Sequence, residues 1–248
     1  MPLIPHSHAE RLAAQATKRR RLLAWLRMEL WTPIDIAGDV MGVRDRRTIR
    51  TTLAAMARDG LVTLDSIEIP FGSLRLVGIT MDGQSAAAGT ERSLIGKAYE
   101  RGRIGLTVLD HSIDLQRLKL ACLRAGWKNW VRPDLEKWGK HHRPDAVAVM
   151  PDGTPVAIEC ERTMKTAKRY KAVVANHLGA LKKNAYRHVI YTSPTPEKAC
   201  NVERLLRSLP PLVVAGEKVL PTPVIDSSFS FVTFEHLPTL TLKGNRSA

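Results

Sequence analysis

Apolar residues near the start of the chain recur at a helical spacing and predict three helices. After a loose N-terminal arm, leucines four residues apart indicate a basic helix over about 18–30. Thr32 is typical of an N-cap, Pro33 of a first helical position and Gly42 of a helix end, so a short second helix is expected between them. A third helix is expected over about 45–58. Its inward-facing residues would be Ile49, Leu53 and Met56.

The pattern then changes to an alternation of apolar and polar residues, which predicts two strands over about 61–69 and 74–80. Three helices followed by a hairpin form the layout of a winged helix-turn-helix, whose third helix enters the DNA major groove. The residues expected to face DNA are Arg46, Arg47, Arg50 and Thr51 on that helix and Arg75 near the wing. Two other interpretations stay open: the arginines only keep the helix soluble, or the module dimerises.

A small and polar segment at 81–91 predicts a linker, and therefore a boundary between a domain over 1–89 and a domain over 90–248. The elements expected beyond it are a helix over about 110–125, a strand-turn-strand over 143–160, a helix over 163–185, a strand over 187–192, a helix over 195–209 and short strands near 211–214 and 229–234. This order predicts an α+β chain whose second domain is an α/β sandwich around a small mixed sheet.

Charge is spread unevenly along the chain and favours a polyanionic partner. The formal net charge is +14, of which residues 1–89 carry +3 and residues 90–248 carry +11. From Arg162 to Pro196 there is no acidic residue among eight basic ones. A solvated helix face usually mixes the two signs, so this stretch favours contact with phosphates. A solvated face remains the alternative.

Other features of the composition limit where the chain would work. No run of about 18 apolar residues is present, so no membrane span is expected. The N-terminal residues lack the apolar stretch and cleavage site of a secretory signal. The three cysteines are far apart and form no metal-type pair. A reducing, cytoplasmic setting is therefore expected.

Three acidic residues suggest a catalytic site in the second domain. Asp145 opens one predicted strand, and Glu159 and Glu161 lie two residues apart on the next, so their side chains would point to the same face. A hairpin would bring Asp145 against them. Converging carboxylates repel one another unless a cation lies among them, and a purely oxygen ligand set suits Mg²⁺ or Mn²⁺. In so basic a chain, this predicts a phosphodiester substrate.

Residues after the second strand would complete such a site. Lys165, expected in the first turn of the following helix, would stabilise developing negative charge, and Glu161 would act as general base or as a further metal ligand. Arg162, Arg169 and Tyr170 would hold flanking phosphates. A covalent route stays open, with Tyr170, Tyr186 and Tyr191 as possible nucleophiles. Packing is the simpler role for Tyr170 and Tyr191.

The strand-turn-strand resembles the PD-(D/E)xK nuclease fold. Pro144-Asp145 is followed fourteen residues later by Glu159-Cys160-Glu161 across a hairpin, with a helix before and a basic helix after. The resemblance implies a restriction-endonuclease-like domain over residues 90–248. Glu161 departs from the family pattern, which usually has lysine there, and Lys165 would supply the missing cation.

A narrower resemblance covers most of the chain. A winged helix joined to LDHSIDLQRLKLACLRAGWKNW, then RPDAVAV, then VAIECERTMKTAKRYK is similar to the MobC-type plasmid mobilisation relaxases and related replication-relaxation proteins. It implies a metal-dependent relaxase that nicks one DNA strand at a plasmid transfer origin, together with an accessory mobilisation or coupling protein. The residues it marks are Asp145, Glu159, Glu161 and Lys165, with His111 and Gln116 as weaker candidates.

Two other functions fit the same residues. One is an endonuclease that cuts both strands. The other is a non-catalytic DNA-binding protein, such as a replication initiator or regulator, in which the nuclease fold is a relic.

Overall fold

The structure, a computed structural model, describes residues 7–70, 72–89, 96–133 and 143–242. Helices and several sheets occur together, which confirms the predicted α+β class. The chain divides into two compact units, Met1–Gln116 and Arg117–Ala248. The division falls inside a helix, whereas the sequence predicted a domain boundary after residue 89.

The first unit holds helices around a three-stranded antiparallel sheet. In chain order its elements are α1 His8–Glu29, β1 Trp31–Pro33, α2 Ile34–Met41, α3 Arg46–Arg58, β2 Val62–Ile69, β3 Gly72–Ile79, α4 Met81–Ala88 and the first part of α5 Leu106–Arg124. The strands are ordered β1-β3-β2, with Val62 paired to Ile79 in the β2-β3 hairpin. The predicted helices and hairpin are therefore present.

The starts of α1 and α2 differ from the prediction. Helix α1 begins ten residues earlier than expected because Ser7 and Glu10 form a capping box: each side chain accepts a hydrogen bond from the other residue's backbone N–H. Thr32 is not the N-cap of α2, since it lies in β1 and Pro33 takes the N-cap position. Gly42 ends α2 as expected, in the left-handed conformation.

Helix α3 agrees with its prediction. Asp45 caps it, and its side chain accepts hydrogen bonds from the backbone N–H groups of Arg47 and Thr48. The predicted inward face is buried: Ile49, Leu53 and Met56. Burial of this face leaves the arginines of the helix on its outer side.

The segment predicted as a linker is instead a packed helix. Helix α4 is capped by the Thr80 hydroxyl, which accepts a hydrogen bond from the Gly83 N–H. Gln84 is fully buried and donates to the carbonyl of Lys97. A methyl group on Gly83 would lie 2.0 Å from the Leu61 carbonyl oxygen, so the helix packs closely on the start of the hairpin. The small size of Gly83 therefore serves close packing.

The second unit is built on a five-stranded mixed sheet. After the end of α5, its elements are β4 Lys128–Val131, β5 Ala146–Val149, β6 Pro155–Cys160, α6 Ala167–Lys182, β7 His188–Ser193, α7 Pro196–Arg207, β8 Leu212–Val214, β9 Glu217–Val219, α8 Pro221–Ser228, β10 Phe229–Thr233 and a 3-10 turn Leu237–Thr239. The order is β10-β7-β6-β5-β4, with β10, β7 and β6 parallel and the other pairs antiparallel. A small mixed sheet was predicted; β4, β9 and α8 were not.

Helices α6 and α7 form one core with a face of this sheet. Their buried residues meet alternate residues of β6, β7 and β10, as the two-residue period of a strand requires. The core includes Tyr170, Val174, Leu178, Val202, Leu206, Ala157, Val189, Tyr191 and Phe229. Because β6 and β7 are parallel, they end at the same edge, where Glu159 lies opposite Tyr191.

No helix in the described ranges is long and apolar enough to cross a membrane.

Candidate active site

The three predicted acids lie at this edge of the sheet. Ala146 pairs with Ile158, and extending that antiparallel register by one residue sets Asp145 opposite Glu159. Asp145 is half-buried, and its carboxylate accepts a hydrogen bond from the Cys160 N–H at 2.7 Å. Glu159 and Glu161 are each only 3% exposed. The β-hairpin therefore brings together the residues that the sequence singled out.

The electrostatics of Glu161 indicate that the acids interact. Burial raises the pKa of Glu161, the cation of Lys165 opposes that rise, and the charges of Glu159 and Asp145 add to it. Desolvation and like charges both disfavour the ionised carboxylate. An ionised Glu161 is thus costly in this pocket and depends on its neighbours.

Lys165 is the internal counter-ion of this cluster. Its ammonium forms an ion pair with Glu161 and lies 5.8 Å from the centre of the Tyr170 ring. It is not in the first turn of a helix as predicted, because Thr166 caps α6 and the helix starts at Ala167. Lys165 instead lies in the loop between β6 and α6, where its ammonium contacts Glu161.

A buried histidine is hydrogen-bonded to Glu159. The Nε2 atom of His177 on α6 lies 3.1 Å from the Glu159 carboxylate, and its Nδ1 atom lies 2.7 Å from the Tyr186 hydroxyl. All three side chains are buried. Sequence reasoning missed His177. The only signal for it is its helical spacing from the buried Tyr170 and Val174, which places it on the inner face of α6.

The end of β7 contributes hydroxyl groups that lack partners. Within the described ranges, the side-chain oxygens of Tyr191, Thr192 and Ser193 are buried without a hydrogen bond. Burial raises the pKa of Tyr191, and the charges of Glu159, Glu161 and Asp145 raise it further. An unpartnered buried hydroxyl usually costs free energy, so one beside three carboxylates suggests a ligand or water at that position.

The donor chemistry of the site suits a hard divalent cation, but its arrangement is not that of a finished metal centre. Carboxylates and an unpartnered hydroxyl are oxygen donors of the kind that Mg²⁺ and Mn²⁺ prefer. Among the residues that the structure describes, no group of three or more histidine, cysteine or acidic side chains is placed to hold a metal ion. Lys165 takes up one oxygen of Glu161 in this arrangement.

The residues predicted to hold flanking phosphates differ in how far they reach the surface. Tyr170 is fully buried, and its hydroxyl accepts a hydrogen bond from the Lys165 N–H, so it does not offer a surface contact to a phosphate. Burial likewise removes Tyr186 and Tyr191 from direct reach of a DNA strand. Arg169 is exposed on the first turn of α6, and Arg162 is half-buried with its carbonyl accepting from the Lys198 ammonium at 2.9 Å.

The residues predicted to face DNA from the first unit are all exposed: Arg46, Arg47, Arg50, Thr51 and Arg75. The Thr51 hydroxyl donates to the Arg47 carbonyl of its own helix. Gln116 is buried within the first unit, where it accepts from the Thr32 hydroxyl at 2.6 Å and donates to the Trp31 carbonyl. Its side chain therefore has a structural role there. His111 is half-buried on α5.

Comparison with known proteins adds no assignment. No protein-family model, no curated protein and no solved structure matches the chain.

Proposed function

We propose that the protein is a divalent-metal-dependent DNA endonuclease of the relaxase type, which nicks one strand of plasmid DNA at a transfer origin. The observation that carries the proposal is the coupled set of acids at one edge of a mixed sheet, with a lysine among them. Groups whose pKa values are shifted by burial and by specific charged neighbours are typical of catalytic sites. The second unit is interpreted accordingly as a PD-(D/E)xK nuclease domain.

Asp145, Glu159 and Glu161 would hold the cation, which when bound would activate a water molecule and offset negative charge on the scissile phosphate. Lys165 lies beside Glu161 and can turn toward a phosphate oxygen once that carboxylate has another partner. Alternatively, Glu161 would accept a proton from the attacking water instead of serving as a ligand, and its raised pKa in the metal-free site is of the kind found for general bases. Exclusion of bulk water from this buried edge strengthens each of these electrostatic effects.

The first unit would bring the nuclease to its DNA. Helices α2 and α3, followed by the β2-β3 hairpin, fit a winged helix-turn-helix, in which α3 is the recognition helix. Its exposed arginines are suited to phosphate and guanine contacts. The transfer origin, and an accessory mobilisation or coupling protein, rest on the sequence resemblance alone.

The proposal is tested with supercoiled plasmid that carries its own mobilisation region, incubated with and without Mg²⁺ or Mn²⁺. Open circles that form only with the cation support nicking, and their loss in Asp145→Asn and Glu159→Gln assigns it to these acids. Glu197→Gln, which removes an exposed acid of α7, is the matched control and should keep full activity. Linear product would indicate a double-strand endonuclease instead. Binding without any cleavage would contradict the proposal.

One observation favours a second candidate function, a DNA-binding protein without catalysis. The acids are already held by protein groups, Glu161 by Lys165 and Glu159 by His177. A relic site that has lost its metal would be expected to satisfy its acids in this way. If so, Glu159→Gln would leave the activity in cells unchanged and DNA binding intact.

A further inference from the structure

Three buried side chains of the second unit, Tyr186, His177 and Glu159, are linked by hydrogen bonds. The Tyr186 hydroxyl lies 2.7 Å from His177 Nδ1, and His177 Nε2 lies 3.1 Å from Glu159 Oε1. The His177 ring is fully buried, and the rings of Tyr186, Tyr191 and Phe229 pack edge-on against it with centroids 5.8 to 6.2 Å away. Because these rings hold the imidazole, it cannot turn without disturbing the core.

The two contacts are best satisfied together when the ring carries its proton on Nε2. Burial raises the pKa of the Tyr186 phenol, so the phenol keeps its hydrogen and can donate it to Nδ1. The neutral ring then carries its proton on Nε2, facing the carboxylate. A doubly protonated ring also has a proton on Nε2. Beside an ionised Glu159, the neutral tautomer with its proton on Nδ1 would turn a lone pair toward the carboxylate, and two electron-rich atoms at 3.1 Å would repel.

We propose that His177 is a positioning residue for Glu159, and that Tyr186 keeps the Nε2–H of the imidazole aimed at the carboxylate. Because it takes Glu159 as a cation ligand, the inference rests on the proposed nuclease function. A glutamate side chain has several rotatable bonds, and a ligand that is not held in place loses affinity for its ion. The buried hydrogen bond from His177 engages one carboxylate oxygen of Glu159 and limits the rotation of that side chain.

The proton position can be measured without any metal. Long-range proton-nitrogen correlation spectra of the full-length protein, assigned with the His177→Gln variant, distinguish a protonated Nε2 from a protonated Nδ1. We expect Nε2–H in the wild type and an increased share of the Nδ1–H tautomer in Tyr186→Phe. A neutral Nδ1–H ring in the wild type would overturn the inference, as would a Tyr186→Phe spectrum identical to that of the wild type.

The positioning role is then tested by Mn²⁺ binding, measured by calorimetry. Glutamine places an amide N–H near the position of Nε2, so His177→Gln should bind Mn²⁺ within about threefold of the wild type, whereas His177→Leu should lose about tenfold or more. Equal affinities of the glutamine and leucine variants would overturn the inference. If His177→Leu does not fold, Tyr186→Phe, which loses only a hydroxyl group, must show a smaller loss in the same direction.

Failure of the proposed function gives a different result. A wild-type protein that binds no Mn²⁺ and nicks no plasmid contradicts the nuclease proposal and, with it, the ligand role of Glu159. The hydrogen bond between His177 and Glu159 is still decided by the spectra. A wild-type protein that binds Mn²⁺ tightly, with all three variants unchanged, removes the positioning role and leaves the nuclease proposal standing.

Discussion

Glu161 experiences opposing electrostatic effects within a few ångströms. Burial and two neighbouring acids raise its pKa, and the Lys165 ammonium lowers it, with the rise prevailing. An acid with a raised pKa binds a proton more readily in the folded protein than in the unfolded chain. The folded state is therefore favoured by acid at this position, in contrast to most surface carboxylates.

Glu161→Gln should change how stability depends on pH. With an ordinary pKa of 4.5 and a higher folded pKa, Glu161 makes the wild type less stable as pH rises from about 4.5 through the folded pKa, and glutamine removes that slope. The free energy of unfolding of the variant minus that of the wild type should increase over this interval in urea titrations. Glu235→Gln, which removes an exposed acid, gives the effect of a surface charge. A difference that is constant or falls with pH would contradict the assignment.

His188 should give a slope of the opposite sign. Burial lowers its pKa to about 4 from 6.5, while its Nε2 atom bonds the Ser230 hydroxyl at 2.9 Å. Burial of the neutral form of His188 contributes to the free energy of unfolding. This contribution is fully present above pH 6.5 and is lost as pH falls toward 4. His188→Gln should flatten the urea-derived stability curve between these values. Ser230→Ala keeps the histidine and should keep the slope; a wild-type curve matching that of His188→Gln would exclude the effect.

At the scale of elements, α4 is where composition misled most. A run of small and polar residues is typical of a linker. In α4, however, glycine is required at position 83 because the Leu61 carbonyl occupies the place of a side chain. The alternation that predicted β2 and β3, and the helical spacing of apolar residues that predicted α3, are local signals that need no partner elsewhere in the chain. The fit of a glycine against a distant carbonyl is not local, so the sequence could not indicate it.

Two glycine substitutions separate a packed helix from a linker. Gly83→Ala should destabilise the protein by about 2 kcal/mol or more, since its methyl group would meet the Leu61 carbonyl oxygen at 2.0 Å. Gly179→Ala in α6 has open space around it and should be neutral or stabilise by up to about 1 kcal/mol, because alanine favours helix. Thermal and urea unfolding measure both. No loss of stability in Gly83→Ala would mean that α4 does not pack as described.

At the scale of the whole molecule, the sequence predicted the acids of the site better than their partners. Asp145 and Glu159 were placed together by strand alternation and a hairpin turn, both of which are short-range features. His177 reaches Glu159 only because α6 packs across the parallel strands β6 and β7. The start of α6 was also missed, because Thr163 and Thr166 are equally suited to cap a helix and only the fold decides between them.

The charge of the whole chain leads to a prediction about DNA binding. With a formal net charge of +14, affinity for duplex DNA should fall steeply with salt, and each phosphate contact contributes about 0.9 to the logarithmic slope. If both units contact DNA, Arg50→Ala on α3 and Arg169→Ala on α6 should each reduce the slope by about that amount. Both side chains are exposed. Fluorescence anisotropy between 50 and 200 mM salt, without divalent cation, measures the slopes.

The control for this prediction is Arg20→Ala. It removes the same charge from an exposed position on α1, which is not the proposed recognition helix. A general charge effect would lower affinity equally in all three variants, whereas specific contacts leave the Arg20→Ala slope unchanged. Loss confined to Arg50→Ala would restrict DNA to the first unit and contradict a nuclease role for the second. Loss confined to Arg169→Ala would contradict recognition by α3. Only a reduction in both variants fits a protein that binds DNA with one unit and cuts it with the other.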